Sequence, residues 1–200
     1  LTMTTTDNGN TGLDGAKSDT DTVTINLAPV ADIADDTAAT SEDNAITISV
    51  LANDSFENTG RTITAVDGQA ITAGGPAVTV ANGTVSLNNL DQLIFTPATN
   101  FNGLANFSYT VTSGGVSETA NVGVTVGAVN DTPTISVPAS VAVTEDVATR
   151  LTGLSIGDVD AGSGLVVVTL RVPAGTLSAV PGGGVTIGGS ATARTLTGTV

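Results

Sequence analysis

The sequence predicts an all-β chain of two-layer sandwiches, and three observations carry that expectation. Apolar and polar residues alternate one by one in short runs, while helical periodicity is hard to find anywhere. Val and Thr, which suit a pleated and half-buried surface, dominate the chain. Turn-forming dipeptides break the alternating runs at short, regular spacing, as many short strands require.

The runs can be taken in chain order. Val23, Ile25 and Leu27 alternate with Thr24 and Asn26. Ile46, Ile48 and Val50 alternate with Thr47 and Ser49. Phe107, Tyr109 and Val111 alternate with Ser108 and Thr110, and Val122, Val124 and Val126 with Asn121, Gly123 and Thr125. Each run turns one apolar face inward and one polar face outward. Between them stand Asp67-Gly68, Gly74-Gly75-Pro76, Asn82-Gly83, Asn102-Gly103 and Ser113-Gly114-Gly115. Asn82-Gly83-Thr84 also fits a glycosylation acceptor, but it reads as a hairpin turn. Gly182-Gly183-Gly184 and Gly188-Gly189 lack the Asp of calcium-binding nonapeptide repeats and read as loops.

An internal repeat sets the domain plan. Ser41-Glu42-Asp43-Asn44-Ala45 recurs 103 positions on as Thr144-Glu145-Asp146-Val147-Ala148. Asn26-Leu27-Ala28-Pro29 recurs 104 positions on as Asn130-Asp131-Thr132-Pro133. The two landmarks agree on a period close to one sandwich domain. The phase makes residues 1–28 the C-terminal strands of a truncated repeat, 29–130 a complete repeat, and 131–200 the N-terminal part of a truncated third. All five aromatics (Phe56, Phe95, Phe101, Phe107 and Tyr109) fall in the complete repeat, so the flanking parts need aliphatic cores. The truncated ends lack their own partner strands. They are expected to be less ordered or to pair with each other. The chain, beginning at Leu1 without a signal-peptide pattern, is expected to be an excerpt of something longer.

Composition narrows the function. Asp and Glu number 19 against 5 Lys and Arg, for a formal net charge of −14. Such a chain repels phosphate backbones and anionic membrane surfaces and attracts cations. Cys and His are absent, which removes disulfides, thiolate or imidazole zinc sites and nucleophile–histidine chemistry. No run of 18 apolar residues is present, so direct membrane insertion is not expected.

The acidic residues gather at Val129-Asn130-Asp131-Thr132-Pro133, between two strand-rich regions, and at Glu42-Asp43, Glu145-Asp146 and Asp158-Val159-Asp160. A hard cation such as calcium takes six to eight oxygen ligands, many from carboxylates. Asp158-Val159-Asp160-Ala161-Gly162 opens like a helix-loop-helix calcium loop. Its sixth and twelfth positions, however, hold Ser163 and Thr169 where Gly and Glu are needed. Alone it reads as a solvated turn; joined to Asn130-Asp131 it reads as half of a metal site. Glu42 and Glu145 each follow Ser or Thr and open an alternating strand, and their recurrence favours a shared role. Asp43 and Asp146, one position on, should face the other way along a strand. Asn53-Asp54 reads equally as a cation site or a turn cap. Asp7 is a candidate ligand at the first joint, Asp19 and Asp21 read as surface, and Asp35-Asp36 as a pair without a role.

Several strings together resemble a known family. They are Val50-Leu-Ala-Asn-Asp-Ser55, Phe95-Thr-Pro-Ala98 with Asn100-Phe-Asn-Gly103, Phe107-Ser-Tyr-Thr-Val111 and Val129-Asn-Asp-Thr-Pro133. In this they look like the cadherin-like and immunoglobulin-like tandem repeats of giant RTX-type adhesins, secreted by bacteria through the type I route. Residues 5–26, with Asp7-Asn-Gly-Asn-Thr-Gly12 and Ser18-Asp-Thr-Asp-Thr-Val23, look like the end of such a repeat. Residues 131–170 look like the start of another. The resemblance implies tandem Greek-key β-sandwiches, one complete and two truncated, exported without a conventional signal peptide and stiffened by calcium in adhesion or biofilm formation. It implies that Glu42, Asn130, Asp131, Asp158 and Asp160 bind Ca2+ at the second joint and that Glu145 serves the next one. The sequence departs from the family in three places. Phe56-Glu57-Asn58-Thr59-Gly60 replaces an acidic run after Asp54, Leu27 replaces the Asp of the first joint, and Ser113 replaces an Asp after the Tyr109 strand.

The function expected is therefore mechanical: an extracellular or cell-surface spacer, not an enzyme. Its partners are neighbouring repeats of the same chain, with other surface proteins or glycans as further candidates and nucleic acid excluded. A glycan- or ligand-binding sandwich is the alternative, although Trp is absent and the single Tyr sits in an alternating strand. Paired carboxylates also serve glycosidases, but these pairs fall where joints are expected, not mid-strand.

Overall fold

The computed structural model describes residues 1–7, 15–25, 31–56, 58 and 60–199. Three sequence readings lie outside them: the Asn8–Gly12 motif, the Asn26–Pro29 landmark with Leu27, and Glu57 and Thr59. Every regular element among the described residues is a β-strand.

The chain opens with a hairpin of β1 (Thr2–Thr6) and β2 (Ser18–Thr22), exposed along both strands. Of the strand expected at Val23, Ile25 and Leu27, the described part, Val23 and Ile25, is not in a strand. β2 ends at Thr22, and Val23 and Ile25 stand 58% and 66% exposed. Alternation supplies an apolar face, but a strand also needs a neighbour for its N–H and C=O groups. Val23 exchanges two such bonds with Leu1, its N–H donating to Leu1 O and its C=O accepting from the Leu1 amino group, both at 2.9 Å, and β1 ends there.

The next strands are β3 (Asp36–Ser41), β4 (Ile46–Ile48), β5 (Thr62–Val66), β6 (Gln69–Ala70), β7 (Val78–Val80), β8 (Gly83–Leu87), β9 (Leu93–Pro97), β10 (Gly103–Ser113) and β11 (Val116–Gly127). They form two sheets, ordered β3-β11-β10-β5-β6 and β4-β9-β8-β7. Every pairing is antiparallel except that of β3 with β11, which is parallel.

The alternation read from the sequence is the packing pattern. Phe107, Tyr109 and Val111 of β10 and Val122, Val124 and Val126 of β11 point into the core. Leu93 and Phe95 of β9 and Val85 and Leu87 of β8 meet them from the other sheet. Phe95 stacks on Phe107 across the gap, ring centroids 5.8 Å apart. A pair of this kind adds about 0.5–1.5 kcal/mol beyond its area burial. β5 breaks the period. Ile63 and Val66 are both buried although three residues apart, because the register with β10 shifts between Thr110 and Val111. The bulge turns both side chains inward.

The turns explain themselves. Gly114 and Gly115 both have positive φ (56° and 86°) and close the β10–β11 hairpin in two residues. Gly83 answers a different need: a Cβ there would lie 2.4 Å from Thr96 O and 2.8 Å from the Phe95 ring.

Beyond Gly127, β12 (Thr134–Ser136) pairs with β13 (Ser155–Gly157), and β14 (Val166–Arg171), β15 (Thr186–Ser190) and β16 (Ala193–Gly198) form a three-stranded sheet ordered β14-β16-β15. An apolar cleft of about 210 Å³ lies between them, lined by Ile135, Leu154, Ile156, Val166, Val168 and Leu196 among others. The buried hydrophobic core runs from Ile48 to Val126. Among the described residues the ladders of the two flanking segments form within each segment, and the mutual pairing considered for them is not found there.

Candidate functional site

The site is built where β3 hands over to β4. The Glu42 N–H donates to Gly127 O at 2.9 Å, extending the β3–β11 ladder by one residue. The chain then turns: Asn44 N–H returns to Ser41 O at 3.3 Å, and Asp43 takes φ 59°. Glu42 therefore opens no strand. It occupies a tight turn and is buried, with 1% of its surface exposed. Its Oε1 accepts the Val129 N–H in a short hydrogen bond, and its Oε2 is buried without a partner. A carboxylate oxygen in that position costs several kcal/mol unless something neutralises it.

Three more of the expected residues meet at this point. Asp131 N–H donates to Asp160 Oδ2, and Asp160 N–H donates to Asp158 Oδ1 at 3.0 Å. Asp131 Oδ2 is the second buried carboxylate oxygen here without a partner. Lost solvation, then the charges of Asp160, Asp43, Glu42 and Asp158, hold the Asp131 carboxyl above the usual carboxylate range. Asn130 is adjacent in the chain, exposed, with its amide nitrogen on Asp131 O at 2.9 Å.

The remaining candidates stand elsewhere. Asp54 Oδ1 accepts the Ala34 N–H at 2.9 Å, and its Oδ2 lies 3.5 Å from the Tyr109 hydroxyl, so it braces the opposite, N-terminal side of the sandwich. Asp7 Oδ1 accepts the Lys17 N–H at 2.9 Å at the mouth of the β1–β2 hairpin. Glu145 is exposed in a turn closed by Val147 N–H to Thr144 O at 3.2 Å. Asp146 there has φ 60°, a copy of the Glu42-Asp43 turn. No strand follows Glu145 until β13, so the strand expected after it is absent among the described residues.

Sequence reasoning missed Asp43, whose Oδ1 accepts the Asn100 N–H at 3.1 Å. It also missed Asp36, half-buried at the start of β3 with Oδ2 unpartnered. Among the described residues, no three acidic side chains converge closely enough to hold an ion as they stand. In the joint, main-chain N–H groups take up oxygens of Glu42, Asp43, Asp158 and Asp160.

The family model for the bacterial Ig domain matches residues 26–125. The chain belongs to that family. The matched region carries both sheets and Glu42; Asp131, Asp158 and Asp160 lie past its end. Bacterial Ig domains are β-sandwiches, typically non-catalytic and commonly extracellular or surface-associated. No curated protein matches the chain. Among solved structures it is similar to an endo-fucoidan hydrolase from glycoside hydrolase family 107, at 14% identity and TM-score 0.34. The alignment covers 93% of this chain and 28% of that one. It is also similar to the titin domains Z1Z2 solved in complex with telethonin, at 16% identity and TM-score 0.28, covering 84% of this chain and 79% of that one.

Proposed function

We propose that this bacterial Ig chain is a calcium-stiffened spacer of a large surface or secreted adhesin, acting in adhesion or biofilm formation, with residues 29–130 as one repeat. The observation that carries the reading is Glu42, a fully buried carboxylate with one unpartnered oxygen beside the carboxylates of Asp131, Asp158 and Asp160. The donor set is all oxygen, as calcium prefers. Glu42, Asp131, Asp158 and Asp160 would hold the ion, with Asn130 as a further donor once its amide turns. The ion supplies positive charge where like charges crowd; two carboxylates 4 Å apart repel by on the order of 4 kcal/mol at an effective dielectric near 20. The chain's own residues do the rest. Glu42 belongs to the sandwich, Asp131 to the linker and Asp158–Asp160 to the following segment, so one cation ties three stretches together. Binding to the closed joint alone stabilises it by mass action. The glycan-binding alternative is not favoured, because Tyr109 is fully buried and offers no platform to a sugar.

Calorimetric titration of the chain with CaCl2 tests the reading, paired with small-angle scattering in calcium and in chelator. Saturable binding, a more extended particle in calcium, and loss of both in Glu42→Gln are expected. An identical scattering profile and melting temperature with and without EGTA would end it.

A further inference from the structure

The cleft beyond Gly127 has two unequal walls. β12 and β13 form a two-stranded layer, and β14, β16 and β15 face it as three strands. Ile135 and Ile156 of the narrow wall line the cleft with Val168 and Leu196 of the wide one, yet both isoleucines remain exposed. Exposed apolar surface gathered in one place marks an interaction site.

The internal period shows what covers such a face elsewhere in the chain. Moved back 103 positions, β15 falls on β8 residue for residue, and β16 overlaps β9. In the complete sandwich the β8–β9 face is covered by the β10–β11 hairpin, where Phe107 meets Phe95. Moved forward 103 positions, β1 falls inside β10 and β2 inside β11. The β1–β2 hairpin is thus the counterpart of the cover, and β15–β16 the counterpart of the covered face. β16 already has a neighbour on each side, so a hairpin arriving here lies across the face and adds no strand beside it.

The two surfaces also match in chemistry. On β1–β2, Met3 stands opposite Asp21 and Thr5 opposite Asp19, so these four share one face. Val23 continues that face, and Met3 and Val23 are exposed. It is apolar at one end and acidic at the other. On the wide wall of the cleft, Leu196 stands opposite Val168, and Arg194 opposite Leu170. The Arg194 Nε donates to Leu177 O at 3.0 Å, which holds its guanidinium at the end of the apolar row. No Asp or Glu follows Asp160, so Arg171 and Arg194 make this last part cationic in a chain of net charge −14.

We propose that the cleft is the docking site for the β1–β2 hairpin of a second copy of this chain, apolar face on apolar face, with Asp19 and Asp21 toward Arg194. Donor and acceptor are different surfaces, so the contact is head-to-tail and adds one chain after another. Opposite charge sets its orientation. It needs no cation.

The test is analytical ultracentrifugation in EGTA over a range of concentrations. Met3→Asp disables the hairpin and Ile135→Asp disables the cleft, both at exposed positions. Wild type is expected to form pairs and longer oligomers as concentration rises, and salt should weaken them. Each variant alone should be monomeric. An equal mixture of the two keeps one intact hairpin and one intact cleft, and should give pairs and nothing longer. That recovery also shows both variants to be folded. A wild type that stays monomeric at every concentration overturns the proposal. So does assembly that survives Met3→Asp, the result expected if two clefts pair with each other, and so does a mixture that stays monomeric.

Discussion

Tyr109 has one proton to donate and more acceptors than it can serve. Its hydroxyl lies 3.1 Å from Val50 O, 3.3 Å from Ala34 O and 3.5 Å from Asp54 Oδ2. Asp36 stands nearby with a buried, unpartnered Oδ2. Burial pushes the Asp36 carboxyl above its ordinary value, and the charges of Asp54 and Asp35 add to the push; the nearby Tyr109 hydroxyl and Asn53 amide pull the other way. A carboxyl whose folded value is raised binds its proton more readily in the folded state. Its contribution is therefore most favourable below the ordinary carboxylate range and is lost as pH rises through the raised folded value. Asp36→Asn, uncharged at all pH, should stabilise the protein at pH 7, by less than about 1 kcal/mol because the half-buried carboxylate is partly screened by solvent. The advantage should vanish as pH falls below the carboxylate range. Thermal melts of both proteins across pH check it, and coincident curves would remove the account. None of this was visible in the sequence, where Asp35-Asp36 read as idle. Asp35 Oδ1 in fact accepts both the main-chain N–H (2.7 Å) and the side-chain amide (3.1 Å) of Asn121, a partner 86 residues away. A side chain's neighbours at that separation depend on topology, which local spacing does not reveal.

The strands read from alternation that proved to be strands, β4, β10 and β11, are ones with a core behind them. β10 and β11 follow the alternation residue for residue, and so do the shorter β4 and β9. Where alternation had nothing to pack against, as at Val23 and Ile25, the same pattern did not make a strand. The Ser41–Asn44 and Thr144–Val147 turns were legible as a repeat but misread as strand openings, because Glu followed by alternating apolar residues is compatible with either. Of the candidate site, Glu42, Asp131, Asp158 and Asp160 had all been singled out, since recurrence and Asp spacing are sequence properties, and main-chain hydrogen bonds link the last three. Asp54 and Asp7 had been singled out by the same chemistry, and only tertiary structure could show them bonded at other places. The glycines can be tested at this scale. Gly83→Ala should cost about 1–3 kcal/mol, since Thr96 O and the Phe95 ring must both give way. Gly60→Ala, with nothing within 4 Å, should be close to neutral. Urea denaturation midpoints distinguish the two, and equal midpoints would show that β9 yields at little cost.

The whole molecule divides by burial. Ile48 to Val126 enclose a core in which Val50, Val66, Val85, Leu93, Phe95, Tyr109, Val122 and Val124 have no exposed surface at all. Past Gly127, Ile135, Leu154 and Ile156 remain 64%, 40% and 37% exposed around an open cleft. Local opening is cheapest where few apolar contacts must be broken. Hydrogen exchange should therefore show slow amides in β5 and β8–β11 and fast ones in β1, β2 and β12–β16. Unfolding of β10 and β11 ahead of β14–β16 in denaturant would contradict that order. The parallel neighbours β3 and β11 add a mechanical consequence. The chain enters β3 at Asp36, beside Val122, and leaves β11 at Gly127, beside Ser41. Tension applied through the two ends drags these strands lengthwise in opposite directions. Their hydrogen bonds then carry the load together in shear and do not peel apart singly.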